Sequence, residues 1–238
     1  MISNIFSNVN STMSLQEKPK ILLTDRDIIL AKICTVVYDN VNDRGDFDFQ
    51  LEGQTVKLKY MLQLSTKNIA VYEGNNFSVV SVKGVSNPKD YLSWIKMNFM
   101  NLIDNNIDSI ITNLKDILIK MERKYKNRIM LTGHSQGGFI ISKAIQNLPF
   151  RDNIRGTIFA VPYGIIGKIK SVDDIYKNRA FRKVFYLQDV VSNKAVEYND
   201  RKNTIVLNDP KLSPLESHSI KSFTTMSIND FVIKTVTV

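Results

Sequence analysis

Apolar positions recur along this chain with two spacings, and the spacing changes from segment to segment. From Asp25 to Tyr38 the apolar residues Ile28, Ile29, Ala31, Ile33, Cys34, Val36 and Val37 fall mostly on one side of a helix, with Asp25 placed to cap its start. Ile107, Ile110, Ile111, Leu114, Ile117, Leu118, Met121 and Tyr125 follow the i, i+3, i+4, i+7 rule. Asp108, Lys115, Asp116, Lys120 and Lys124 line the opposite face of that second helix. Residues 55–64 instead alternate with period two, as a half-buried strand does. Two short runs, 68–72 and 77–83, flank Gly74-Asn75-Asn76, residues that tolerate positive φ and so predict a β-hairpin. Apolar runs at 128–131, 157–161 and 183–187 read as buried strands, with a helix over 138–148 between the first two. Pro88 to Ile103 has helical character but is apolar nearly all round. Alternating helix and strand patterns predict crossover connections. The expected fold class is therefore α/β, a mainly parallel central sheet with helices on both faces.

Composition narrows the classes. The 238 residues are 43% hydrophobic and 23% charged, enough apolar material for one good-sized core and too much for general disorder. No run approaches the roughly 18 apolar residues of a membrane-spanning helix. Residues 1–20 are polar, rich in Ser and Asn, and lack the basic start and apolar centre of a secretory leader; they read as a loose arm before a single domain over 21–238. The single cysteine, Cys34, allows no intrachain disulfide and reads as a small buried hydrophobe. An intracellular, cytoplasmic location is the expectation. The net charge of +9 comes from scattered basic residues, loosely grouped only at Lys120, Arg123, Lys124, Lys126 and Arg128. No nucleic-acid-binding motif accompanies them, so a solvated face is expected and no nucleic-acid partner. One cysteine and two histidines are too few for an ordinary zinc site, and neither metal nor cofactor is expected.

One segment carries chemistry. Gly133-His134-Ser135-Gln136-Gly137 fits G-x-S-x-G and lies between a predicted strand and a predicted helix. A serine on such a sharp turn is held with its hydroxyl exposed, and small residues two before and two after let the backbones pass closely. A nucleophilic serine needs a base. His134 adjoins Ser135 on the turn and points elsewhere, which leaves His218, 83 residues on, in the polar stretch 214–219 that reads as a loop. The base in turn needs an acid. Asp152, Asp173, Asp174, Asp189, Glu197, Asp200 and Asp209 all lie between Ser135 and His218. Asp189 follows the buried strand 183–187 directly, where ligand-side residues of an open α/β sheet belong. Asp209 is the second choice. The oxyanion hole then needs two N–H donors: Gln136, after the nucleophile, and Val85, in the strand-end loop Lys83-Gly84-Val85.

These residues resemble the class 3 lipases, the α/β-hydrolase group that includes the fungal triacylglycerol lipases. The likeness runs from about Asp25 to Phe223. It rests on a helix ending near Tyr38, Lys83-Gly84-Val85 where the family has Arg-Gly-Thr or Arg-Gly-Ser, and Asp90-Tyr91-Leu92-Ser93-Trp94. It continues with the elbow, in which Gln136 replaces a leucine, then Phe159-Ala160-Val161-Pro162, Asp189-Val190-Val191 and a final His218. The resemblance implies an α/β-hydrolase fold with Ser135, Asp189 and His218 as its triad. It implies a lid over about 86–103 that makes transient contact with a lipid surface, Lys89 and Lys96 suiting an anionic one. The same segment also fits a simply buried helix. Val85 lacks the hydroxyl many members add, a loss of about 1–3 kcal/mol of oxyanion stabilisation where that hydroxyl contributes. The Asp-to-His interval of 29 residues is short for the family. Without disulfide or leader, an intracellular or virus-encoded member is the expected type.

The expected function is hydrolysis of carboxylic esters of lipids through a Ser-His-Asp triad and an acyl-enzyme. A phospholipase, thioesterase or acyltransferase with the same triad fits the residues as well. So does an inactive hydrolase fold serving as a lipid- or protein-binding module.

Overall fold

A computed structural model describes residues 23–51, 53–84, 105–126, 128–146, 148–150, 154–161, 181–189, 192 and 203–224. The proposed arm over 1–20, Val85, the segment 86–103 and the candidate acids Asp152, Asp173, Asp174, Glu197 and Asp200 lie outside these residues.

Helix α1 spans Asp25–Val36. Its cap is Thr24 and not Asp25: the Thr24 hydroxyl accepts from the Asp27 N–H, and the Asp27 carboxylate accepts the Thr24 N–H in return, a reciprocal box that satisfies two orphan donors. Strands β1 (Phe47–Leu51) and β2 (Gln54–Tyr60) form one antiparallel hairpin, β3 (Ile69–Gly74) and β4 (Phe77–Val82) another. The second hairpin turns through Asn75 and Asn76, with Asn76 at φ 66°. The strand expected over 55–64 stops at Tyr60. Residues Leu62–Leu64 instead form one 3₁₀ turn, which returns the chain to pair with β3. Helix α2 (Asn105–Tyr125), strand β5 (Ile129–His134), helix α3 (Gln136–Ile145) and strands β6 (Arg155–Phe159), β7 (Phe181–Tyr186) and β8 (Thr204–Leu207) follow. Two short helices, α4 (Pro214–His218) and α5 (Ile220–Thr224), end the described chain. The stretch read as a loop at 214–219 is thus one helical turn. Ser213 caps it, Pro214 occupies its first position and Glu216 closes a capping box, the arrangement these residue types favour.

The eight described strands lie in chain order in one sheet, antiparallel from β1 to β4 and parallel from β4 to β8. The crossovers through α2 and α3 advance the sheet in one direction, so right-handed connections put both helices on the same face. That face buries Val71, Val80, Leu114, Leu118, Leu131, Phe139 and Ile141. Helix α1, with α5 beside it, covers the other face and buries Leu30, Ile33, Tyr72, Val79, Phe159, Val184 and Phe223. Strand alternation feeds both layers: Ile69 and Val71 face one core, Ala70 and Tyr72 the other. Cys34 is fully buried in the second, where burial pushes its thiol up to about 12. The result is a single α/β domain. Among the described residues, no helix is long and apolar enough to cross a membrane.

Two buried charges tie these layers together. Asp27 accepts hydrogen bonds from Arg182 Nε at 2.9 Å on β7 and from Thr157 Oγ1 at 2.7 Å on β6, and pairs with Arg182 Nη2 at 2.8 Å. Arg44 donates its guanidinium to the backbone carbonyls of Val37, Asp39, Thr66, Lys67 and Ile69, pinning the end of α1 to the start of β3.

Candidate active site

Parallel strands bring their C-terminal ends to one edge, and in an open α/β sheet that edge is where chemistry collects. Gly84 follows β4, Ser135 follows β5 and Asp189 follows β7 at this edge. Ser135 joins β5 to α3 at φ 52° and ψ −125°, a backbone region that L-residues avoid. Its N–H donates to the Phe159 carbonyl at 2.9 Å, which holds the turn against β6. The turn closes only because its flanks are bare. A Cβ on Gly137 would stand 2.2 Å from the Val82 carbonyl oxygen, and one on Gly133 would stand 2.9 Å from the Gly137 carbonyl carbon.

Three of the residues singled out from the sequence meet here. Ser135 Oγ lies 3.0 Å from His218 Nε2, and His218 Nδ1 lies 2.8 Å from Asp189 Oδ2. All three are buried. The Asp189 carboxylate can only accept, so Nδ1 carries the imidazole proton. The Nε2 lone pair therefore faces the Ser135 hydroxyl, which donates to it. His218 reaches this position as the last residue of α4, and Asp189 from the turn after β7, where its N–H donates to the Tyr186 carbonyl. The second-choice acid, Asp209, does not join them. Its carboxylate accepts the Lys211 N–H in a turn after β8.

Of the two expected oxyanion donors, Gln136 opens α3, where the first N–H groups have no helical acceptor and the helix dipole is positive. Its side-chain Nε2 is buried and has no hydrogen-bond partner among the described residues. Val85 lies outside the described residues. Its neighbour Gly84 passes so close to the nucleophile that a Cβ there would meet Ser135 Cβ at 3.1 Å and the His134 carbonyl oxygen at 2.5 Å.

Two further residues border the site. His134 turns away from Ser135, as its place on the turn predicts. Its Nδ1 lies 2.8 Å from Tyr38 Oη and its Nε2 lies 2.6 Å from the His218 carbonyl oxygen. Sequence reasoning set His134 aside as a base and met Tyr38 only as the end of the first helix. No spacing rule links residues 96 positions apart. Among the described residues, no group of three or more His, Cys, Asp or Glu side chains could hold a metal ion.

No protein-family model matches the sequence, and no curated protein does. Among solved structures the chain is similar to a mutant form of MDLA from Penicillium cyclopium. The two are 12% identical with a TM-score of 0.45, and the alignment covers 77% of this chain and 79% of that one. At that distance the likeness carries no argument about the site.

Proposed function

We propose that this chain is a serine hydrolase of the α/β-hydrolase fold, similar to the class 3 lipases, that cleaves carboxylic ester bonds of lipids. The observation that carries the reading is the continuous hydrogen-bonded line from Ser135 through His218 to Asp189, with the serine on a positive-φ turn at the head of a helix. Ser135 Oγ attacks the ester carbonyl and gives its proton to His218 Nε2. Asp189 fixes the imidazole tautomer and stabilises the imidazolium that forms. The carbonyl oxygen becomes an oxyanion beside the N–H of Gln136 and, on this reading, that of Val85. Its collapse expels the alcohol, protonated by His218. Water, activated by the same histidine, then hydrolyses the acyl-enzyme and releases the carboxylic acid. Every proton in this cycle moves between Ser135, His218, substrate and water. By the resemblance to the class 3 lipases, contact with a lipid surface falls to residues 86–103.

Hydrolysis of p-nitrophenyl esters from acetate to palmitate tests the assignment. Ser135→Ala and His218→Ala fall to background, and Asp189→Asn loses about 10³–10⁴ in kcat. A fluorophosphonate labels wild type at Ser135. A wild type that neither turns over any ester nor takes the label sinks the reading, and the fold then serves as a binding module.

A further inference from the structure

The cycle above leaves one buried imidazole beside the nucleophile without a part. His134 sits against His218 with ring centroids 5.2 Å apart and against Tyr38 at 6.0 Å. The chemistry of its neighbours assigns each proton. The His218 carbonyl oxygen can only accept, so His134 Nε2 carries the hydrogen in that 2.6 Å contact. Burial, and then the nearby His218, push the His134 pKa down to about 3, so the ring is neutral and Nδ1 is an acceptor. The Tyr38 hydroxyl therefore donates to Nδ1 at 2.8 Å, and its oxygen accepts the Gly84 N–H at 3.0 Å. Four segments far apart in sequence are thus joined in one directed line: Gly84 N–H to Tyr38 Oη, Tyr38 O–H to His134 Nδ1, His134 Nε2–H to the His218 carbonyl.

Both ends of that line matter to the proposed chemistry. At one end stands the residue before Val85, the expected second oxyanion donor. At the other is the main chain of the base. His218 closes a helix of five residues, too short to be held by its own hydrogen bonds. We propose that Tyr38 and His134 are positioning residues, a relay that sets the oxyanion loop and the backbone of His218 in one frame around Ser135. The inference rests on the serine-hydrolase reading. The relay touches no reacting atom, and it acts by orientation. The His218 carbonyl selects the Nε2–H tautomer of His134, and the Tyr38 hydroxyl satisfies the lone pair this leaves on Nδ1. Without the tyrosine hydroxyl, the buried Nδ1 lone pair and the Gly84 N–H both lose this partner, and the ring's link to Gly84 is cut. The buried setting strengthens these bonds and makes an unpaired member costly.

The test uses the full chain with Tyr38→Phe, His134→Phe and His134→Gln, assayed on p-nitrophenyl butyrate beside thermal melts. Displacing a base or donor by a fraction of an ångström costs about 10–100-fold in kcat and leaves KM within about twofold, and that is the result expected for Tyr38→Phe and His134→Phe. His134→Gln keeps kcat within about threefold, because a carboxamide offers a donor and an acceptor at similar spacing. Rescue by glutamine separates positioning from core packing, since phenylalanine fills the space better. The chain has two histidines, so imidazole ¹H–¹⁵N correlation spectra resolve both rings. Wild-type His134 shows the Nε2–H tautomer, and Tyr38→Phe keeps it but moves the Nδ1 resonance, because that nitrogen loses its donor. Folded Tyr38→Phe with wild-type kcat and an unchanged Nδ1 resonance overturns the relay, whether or not His134→Phe folds. A wild type without turnover or fluorophosphonate labelling overturns the hydrolase reading itself, and the relay falls with it. The labelling arm tells the two failures apart.

Discussion

Replacing Ser135 by glycine separates the stability of the elbow from its proposed chemistry. Ser135 stands at φ 52° and ψ −125°. An L-residue held in such a region costs about 1–3 kcal/mol, whereas glycine enters it freely. Alanine and glycine both remove the hydroxyl and its bond to His218, so comparing the two substitutions isolates the backbone. Glycine relieves about 2 kcal/mol of strain and loses about 0.5–1 kcal/mol to the extra freedom of the unfolded chain. The difference leaves Ser135→Gly about 1 kcal/mol more stable than Ser135→Ala. For a chain of this size that is a melting point about 2–4 °C higher. Thermal unfolding followed by circular dichroism measures the shift, and urea unfolding with equal m-values checks that the denatured states match. Both variants are inactive on esters. If Ser135→Gly melts at or below Ser135→Ala, the turn stores no strain in the folded state and the reasoning fails.

Two other perturbations test the frame around the site. Asp27→Ala removes the carboxylate shared by the half-buried Arg182, the buried Thr157 hydroxyl and the helix cap, and lowers stability by about 2–4 kcal/mol, read as a drop in melting temperature of about 4–16 °C; a loss below about 1 kcal/mol contradicts a structural role for Asp27. His134 governs a pH dependence of stability. Its pKa is depressed from 6.5 to about 3 in the folded chain, so below about 6.5 the unfolded chain takes up a proton that the folded chain refuses. Stability is therefore full above that pH and falls as the pH drops toward 3, by up to about 1.4 kcal/mol per unit. His134→Gln lacks the group. Its urea-unfolding free energy declines less steeply than that of wild type between pH 7 and 4, and parallel declines refute the assignment.

The nucleophile, its base and its acid are legible in the sequence because each obeys a local rule. Ser135 follows from glycine spacing between a strand and a helix, His218 from there being one histidine left to serve, and Asp189 from its place just past an apolar run. Strand β1 was within reach of the same reasoning, since Phe47, Phe49 and Leu51 alternate with Asp48 and Gln50. So was α4, whose Ser213-Pro214-Leu215-Glu216 has the spacing of a capping box. The relay and the buried charges are different in kind. Arg44 and Asp27 sit in polar stretches and read as surface residues until the fold carries them under carbonyls and beside Arg182. Tyr38 and His134 meet across 96 residues. Such contacts depend on where the sheet places its ends, which no periodicity of 2 or 3.6 encodes.

The strict chain order of the strands has a consequence for a polypeptide made from its N-terminus. Each strand from β2 to β8 pairs with the one synthesised just before it, so the sheet can extend at one growing edge as residues leave the ribosome. Ser135 is laid down after β5 and Asp189 after β7. His218 arrives only after β8, on a helix that packs against β7. A nascent chain short of α4 therefore holds a nucleophile and an acid with no base between them. On the proposed chemistry, ester-cleaving competence is acquired only once the sheet has grown past β8 and α4 has followed it.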